Sequence, residues 1–255
     1  MSSYKVFQHD FRLDGKTAVI TGGASGIGHA SAQMLSEKGA RIVLIDLNPD
    51  VENIAKEIAP DALGLQVDIS RNVEIQAAVD KILTDVGNID ILCNIAGMGS
   101  GSPADEISEN EFRSVINVNL SAAFFLSQAV GKTMIEAGKG GRIINMASQA
   151  GVVALYGHVA YSASKAGLLA VTRDLALEWG KYGITCNAVS PTVVLTPMAR
   201  DYWVGERGAA HLAQIPTGRF AEMDEIAAAV AFLASDAAQM INGHNLVVDG
   251  GFTIA

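Results

Sequence analysis

Thr21-Gly22-Gly23-Ala24-Ser25-Gly26-Ile27-Gly28 closes the apolar run Thr17–Thr21 and leads directly into a stretch of helical spacing, Gly26–Lys38. Glycines let the backbone turn sharply at a strand end and leave free N–H groups at the positive end of the helix that follows. Such a turn suits a phosphate-bearing ligand. Its spacing is Gly-x3-Gly-x-Gly, not the commoner Gly-x-Gly-x2-Gly, so on this motif alone an unliganded glycine-rich turn stays open as a reading.

Working outward, the same rhythm repeats. Apolar, strand-like runs occur at Arg41–Asp46, Leu63–Val67, Ile89–Cys93, Arg142–Met146, Ile184–Val189 and Leu246–Val248. Between them, helical spacing is found over Pro49–Ile58, Asn72–Val86, Glu109–Glu136, Gly157–Gly180 and Asp224–Ala234. Continuous apolar strands separated by helices imply a parallel sheet covered on both faces. The expected fold is therefore α/β, a doubly wound, Rossmann-like parallel sheet with helices on both faces, forming a single domain over 1–255. The rhythm breaks only between Thr196 and Arg219, where a long excursion carrying Trp203, His211 and Pro216 replaces a short loop. It reads either as a substrate lid or as a surface excursion that packs and never moves.

Composition narrows the function classes. With 49% hydrophobic and 18% charged residues, the chain buries a large core and is not disordered. A formal charge of −9, with no Lys/Arg cluster longer than a dipeptide, argues against nucleic acid or an anionic membrane surface as a partner. No run is expected to reach a membrane-spanning length. Met1–Leu13 mixes Lys5, His9, Asp10 and Arg12 with isolated apolar residues and lacks a secretory core, which predicts a cytoplasmic protein. Cys93 and Cys186 sit in apolar runs and read as buried thiols. No Cys/His spacing suggests zinc, and no metal is expected.

Asp46 ends the second strand, where a carboxylate accepts hydrogen bonds from adenosine ribose hydroxyls and repels a 2′-phosphate. Neither Leu47 nor Asn48 supplies the cation a 2′-phosphate needs, so NAD is expected over NADP. Farther along, Tyr161 and Lys165 stand four apart in a helical segment and project from one face. A free phenol ionises near ~10, and bringing it to neutrality takes roughly 4 kcal/mol. A neighbouring ammonium and an oxidised nicotinamide both push that way. Ser148, just past the strand Arg142–Met146, is placed to hold a substrate oxygen against Tyr161. Taken alone, Tyr-x3-Lys also fits an ordinary polar pair on a solvated helix.

The combination is more specific. From Phe11 onward the chain resembles the short-chain dehydrogenase/reductase family, on Thr21-Gly22-x3-Gly26-Ile27-Gly28, Asp68-Ile69, Asn94-Ile95-Ala96-Gly97, Asn119-Leu120, Ser148, Tyr161-x3-Lys165, Pro191 with Thr196, and Asp249-Gly250-Gly251. The resemblance implies a tetrad. In it Tyr161 transfers the proton, Ser148 orients the substrate, Lys165 binds the nicotinamide ribose and tunes the tyrosine, and Asn119 holds a water in a proton relay. It also implies a cofactor site of Gly22, Ser25, Gly26, Ile27, Gly28, Asp46, Leu47, Asp68, Ile69, Asn94, Ala96, Gly97, Tyr161, Lys165, Val194 and Thr196. Two positions depart from the pattern: Ile95 stands where the family often has Asn, and Thr192 where it often has Gly.

Ser148-Gln149, His158, Pro191-Thr192-Val193-Val194 and Trp203 resemble the polyol dehydrogenase and xylulose reductase branches, which implies a small hydroxylated alcohol or ketone as substrate. The substrate-facing residues would be Ser148, Gln149, His158, Tyr161 and Trp203. His158 also fits a satisfied histidine at a helix start. A 3-oxoacyl-thioester reductase is the alternative within the family, and a non-catalytic nucleotide-binding regulator the alternative outside it. The family's usual assembly, together with the long apolar helices and the apolar C-terminus, implies a homotetramer.

Overall fold

A computed structural model describes residues 11–196, 199 and 203–255. The reading of residues 1–10, and the portion of the 196–219 excursion at 197–198 and 200–202, lie outside the described residues. Seven strands form one parallel sheet: β1 (Thr17–Thr21), β2 (Arg41–Asp46), β3 (Leu63–Gln66), β4 (Ile91–Asn94), β5 (Gly141–Met146), β6 (Ile184–Pro191) and β7 (Asn245–Val248), in the order β3-β2-β1-β4-β5-β6-β7. Every pairing is parallel, with Val19 opposite both Val43 and Leu92 at the centre. The fold is the doubly wound, Rossmann-like sheet expected from the alternating runs.

Helices cover both faces, and the sequence shows why. β1 is buried at all five positions, so each face needs its own apolar cover. On one face, α1 (Gly26–Glu37), α2 (Val51–Ile58) and α8 (Met223–Ala234) bring Leu35, Ala55, Ile226 and Val230 against Ile20, Ile42 and Leu44. On the other, α3 (Asn72–Val86), α5 (Ala123–Ala137) and α6 (Val159–Trp179) bring Ile75, Ile82, Leu126, Val130 and Leu175 against Val19, Val43, Leu92 and Ile143. Each fully buried Ile or Leu contributes about 1.5–3 kcal/mol relative to exposure. Cys93 and Cys186 lie in this core as free thiols, and burial pushes both up to about 12, which leaves them unreactive.

Two segments differ from expectation. The single helix expected over Glu109–Glu136 is α4 (Glu109–Ile116), a π-helical turn at Asn117–Ala122, and then α5. Its span Glu109–Ala137, with a mean hydropathy of 1.2 over an 18-residue window, is by length and composition long enough to cross a membrane, contrary to the expectation that no run would be. Leu126, Val130 and Met134 on it are buried in the sheet core, so it is the cover of one sheet face. The second is a helix inside the excursion, α7 (Gly205–Leu212), which begins at Gly205 with φ 62 and packs through the buried His211.

Candidate active site

Strand order reverses between β1 and β4: β2 and β3 are added on one side, β5 to β7 on the other. Crossovers therefore leave this pair in opposite directions, and a crevice opens at the carboxyl ends. Thr21 ties its two sides together. Its hydroxyl accepts the N–H groups of Ile95 (3.0 Å) and Ala96 (3.1 Å). Gly22, at φ 69, then passes so close that a Cβ there would stand 3.0 Å from the Ala96 Cα. Gly28 is equally constrained, since its Cβ would fall 2.1 Å from the Gly22 carbonyl oxygen. Any side chain at either position would force the loop away from the strand ends.

This packing aims the N-terminus of α1 into the crevice and leaves it open. Ser25 occupies the N-cap without a side-chain cap, and no acidic residue lies in the first turn. In α8, by contrast, Glu222 and Glu225 form a reciprocal capping box. An uncapped, positive helix end facing a cavity fits a phosphate-bearing ligand. Asp46, ending β2, accepts the Ala24 N–H (3.0 Å) on one carboxylate oxygen and the Asn48 N–H (3.0 Å) on the other. It therefore fixes the glycine-rich loop at the end of β2. Asp68, just past β3, accepts from the Ser70 N–H, and its hydrogen bonds to Ser70 hold its carboxyl below the usual range. Asp46, Leu47, Asp68 and Ile69 lie at the ends of β2 and β3, outside the cavity itself; Leu47 is 64% exposed.

The cavity, about 710 Å³, is lined by Gly22, Ser25, Ile27 and Gly28 on one side and by Ser148, Tyr161 and Lys165 on the other. Three members of the expected tetrad therefore meet the glycine-rich turn, while Asn119 is buried and does not line the cavity. Ser148 caps a short 3-10 turn, Gln149–Gly151, after β5, and its hydroxyl accepts the Ala150 N–H (3.2 Å). Lys165, 3% exposed, donates to the Met146 carbonyl at 2.6 Å, and its Nζ lies 5.5 Å from the centre of the Tyr161 ring. Asn119 sits in the π-helical turn. Its Oδ1 accepts the Met98 N–H (2.8 Å) and its Nδ2 donates to the Met98 carbonyl (2.9 Å) and the Ser164 hydroxyl (3.1 Å). The amide thus clamps the loop after β4, and the turn is the local departure from α-helical pairing that turns it inward.

Electrostatically, the pair differs from the sequence-based expectation. Burial pushes the Tyr161 phenol up, and a hydrogen bond with Ser148 draws it partly back. Burial brings Lys165 down to about 8. In the protein alone, desolvation outweighs the ammonium's pull on the phenol, so both groups are driven toward their neutral forms.

The remaining residues divide. Ala96, Gly97, Gln149, His158, Thr196 and Trp203 line the cavity. Val194 is buried behind it, bridged to Ala221. His158 Nδ1 lies 2.7 Å from the Tyr156 carbonyl, which accepts, so in the neutral ring Nε2 carries the lone pair. Asn94 turns away: its amide donates to the Ser127 hydroxyl and to Asn145 Oδ1, both at 2.8 Å, binding β4 to α5 and β5. Asn94 does not line the cavity, which takes Ile95, Ala96 and Gly97 from this loop instead. Thr192, read in the sequence only as a departure from the family's glycine, lines the cavity, and so does Glu111, which sequence reasoning missed and which accepts from Ser100 and Ser102. Glu111 lies in α4, outside the quoted motifs, and the path of the 98–102 loop brings it in.

A family model described as enoyl-(acyl carrier protein) reductase matches residues 22–253. The D-threitol dehydrogenase of Mycolicibacterium smegmatis is 53% identical over 249 residues, 96% of this chain and 95% of that protein. The NAD-dependent glycerol dehydrogenase of Listeria innocua is 46% identical over 253 residues, 99% of both. A 3-oxoacyl-[acyl-carrier-protein] reductase of Escherichia coli is 37% identical over 240 residues, 94% of this chain and 98% of that protein. Among solved structures, a gluconate 5-dehydrogenase from Burkholderia cenocepacia in complex with NADP and tartrate superposes with a TM-score of 0.92 at 34% identity, covering 96% of this chain and 98% of that one.

The buried Lys165 makes a prediction about stability. Its pKa is about 8 in the folded chain against an ordinary 10.5. Between those values the unfolded chain holds a proton that the folded chain has released, so stability rises with pH; below about 8 the folded state bears the full cost, on the order of 3 kcal/mol. Lys165→Met keeps the apolar stem without the charge. In urea unfolding the variant is expected to be more stable than wild type at pH 7, with the advantage shrinking toward pH 10. An advantage that does not change with pH would contradict this account of the site.

Proposed function

The chain belongs to the short-chain dehydrogenase/reductase family, and from that premise we propose that it transfers hydride between NAD and a secondary alcohol of a small polyol or sugar, with Tyr161 as acid and base. The observation that carries this reading is the convergence of Ser148, Tyr161 and Lys165 on the cavity that the Gly22–Gly28 turn walls.

The residues present suit the cofactor. Gly22 and Ser25 to Gly28 would hold the pyrophosphate at the open end of α1, Asp46 the adenosine ribose, Leu47, Asp68 and Ile69 the adenine side, and Ala96, Gly97, Val194 and Thr196 the nicotinamide half. Bound NAD would supply the hydride acceptor for alcohol oxidation. Ser148 would hold the substrate oxygen while Tyr161 accepts the hydroxyl proton as the C–H bond breaks. Lys165 would bind the nicotinamide ribose, and its charge would favour the phenolate. The Asn119 side chain is committed to Met98 and Ser164, so its share in ordering a relay water would fall to the backbone of its turn.

NAD over NADP is supported by Asp46, by the exposed Leu47 in place of a cation, and by the NAD-dependent Listeria relative. A hydroxylated substrate is supported by Gln149, His158 and Trp203 in the cavity wall and by relatives named for D-threitol and glycerol. The segment 196–219, through Trp203, would close over that substrate. A 3-oxoacyl-thioester reductase is the competing reading, supported by the 37% identical Escherichia coli relative. Asp46 and the net charge of −9 count against it, because an acidic carrier protein needs a basic approach. A non-catalytic regulator would be expected to have lost a tetrad member, and all four are present. A cytoplasmic homotetramer completes the proposal. Phe112 and Phe125 on α4 and α5, and Ile254 at the C-terminus, are exposed apolar residues that assembly would cover.

With NAD, D-threitol or glycerol is expected to raise absorbance at the NADH band, whereas an acetoacetyl thioester with NADPH is not expected to react. Tyr161→Phe should reduce polyol turnover at least a hundredfold and leave NAD affinity within a few-fold; retention of several per cent of the rate would remove Tyr161 from the role. Asp46→Ala with Leu47→Arg is expected to move the NAD/NADP ratio of kcat/KM at least tenfold toward NADP, at some loss of total activity, and an unmoved ratio would disprove the assignment. Light scattering at micromolar concentration should give four times the mass of the chain; a monomer would refute the assembly.

A further inference from the structure

Two polar atoms in the cavity wall have nothing to bond. Gln149 Oε1 and Thr192 Oγ1 are buried without a hydrogen-bond partner; their residues are 3% and 8% exposed, and both line the cavity beside Ser148 and Tyr161. An orphaned buried acceptor costs about 1–3 kcal/mol, and a ligand hydroxyl donating to it removes that cost.

What fixes Gln149 comes from 62 residues away. Its Nε2 stands 3.4 Å from His211 Nε2 on α7. The His211 ring is clamped in turn, stacked on Phe252 with centroids 4.7 Å apart and set against Trp203 at 4.8 Å. Burial lowers the His211 pKa. In the tautomer with its lone pair on Nε2 the neutral ring accepts from the Gln149 amide N–H, and the amide's other end, the carbonyl, is left without a partner in the cavity wall.

We infer that His211 is a positioning residue for substrate recognition: it holds the Gln149 amide with its carbonyl toward the cavity, where Gln149 and Thr192 accept hydrogen bonds from hydroxyls beside the reacting carbon. This rests on the polyol reading above and deepens it. A polyol satisfies both acceptors, whereas a monohydric alcohol of similar size leaves them unpaired, so discrimination comes chiefly from the penalty on the wrong substrate. A glycine in place of Thr192 would supply no such acceptor.

The test is the ratio of kcat/KM for D-threitol to that for 2-butanol, measured with NAD. Wild type is expected to favour the polyol. His211→Phe preserves an aromatic ring between Trp203 and Phe252 but removes the lone pair, and should lower the ratio about tenfold, equivalent to ~1.4 kcal/mol. Thr192→Val should lower it comparably. Because His211 acts through Gln149, adding His211→Phe to Gln149→Met should change the ratio little further. An unchanged ratio in His211→Phe, or full additivity with Gln149→Met, overturns the inference and leaves the polyol reading standing. A wild type that turns over neither D-threitol nor glycerol overturns both. If His211→Phe does not fold, Gln149→Met and Thr192→Val read the same ratio without touching the stack, and an unchanged ratio in both overturns the inference.

Discussion

The contact between the ends of β1 and β4 is the constraint on which the rest of the molecule depends. These strands are neighbours, yet the chain leaves them in opposite directions, so no crossover covers the gap above them. The Thr21 hydroxyl closes the base of that gap by taking two N–H groups from the facing loop, and Gly22 lets the two backbones meet without a side chain between them. The direction of α1, and so the position of its open positive end, follows from this meeting. β5 and α6 are then laid down beside β4, which brings Ser148, Tyr161 and Lys165 to the opposite wall of the same crevice.

What the crevice does to those side chains is mainly a matter of water removal. A phenol and an amine that would titrate far from neutrality in solvent are both pressed toward their uncharged forms. The phenol is therefore held neutral while Lys165, at about 8, still carries its charge at neutral pH, and a cationic ring brought into the same low-dielectric space would act on the pair more strongly than in water. The Met146 carbonyl and the π-helical turn at Asn117–Ala122 keep the pair in register, one through Lys165 and the other through the loop that Asn119 clamps. The energetic cost of desolvating Lys165 is carried by the apolar packing of the sheet's two faces.

Much of this was legible in the sequence because the fold is written in periodicity. β1, β2 and α3 begin and end where the apolar pattern places them, and the glycine-rich turn, Asp46 and the Tyr161/Lys165 spacing mark the crevice from local signals alone. The illegible parts have a common cause. A π-helical turn inserts its extra residue without disturbing helical spacing enough to be seen, so Glu109–Glu136 read as one helix. Asn94 sits in a motif that points to a ligand, yet its amide is spent on Ser127 and Asn145, partners 33 and 51 residues away. The pairing of Gln149 with His211 likewise depends on where the excursion after β6 folds back. The ionisation of Tyr161 turned on the depth of burial, which charge spacing does not report.

On the reading proposed above, Asp46 has two duties on one carboxylate: an oxygen holds Ala24 in the glycine-rich loop, while the group as a whole would tell one dinucleotide from the other. Those duties cannot be separated by substitution at this position. A lineage drifting toward the phosphorylated cofactor would loosen the very loop proposed to seat the pyrophosphate at the moment it gained the new preference, and a compensating change in the loop would have to come first or at once. The hydrogen bond from Ala24 thus makes cofactor choice in this chain epistatic, and a ratchet against single-step change.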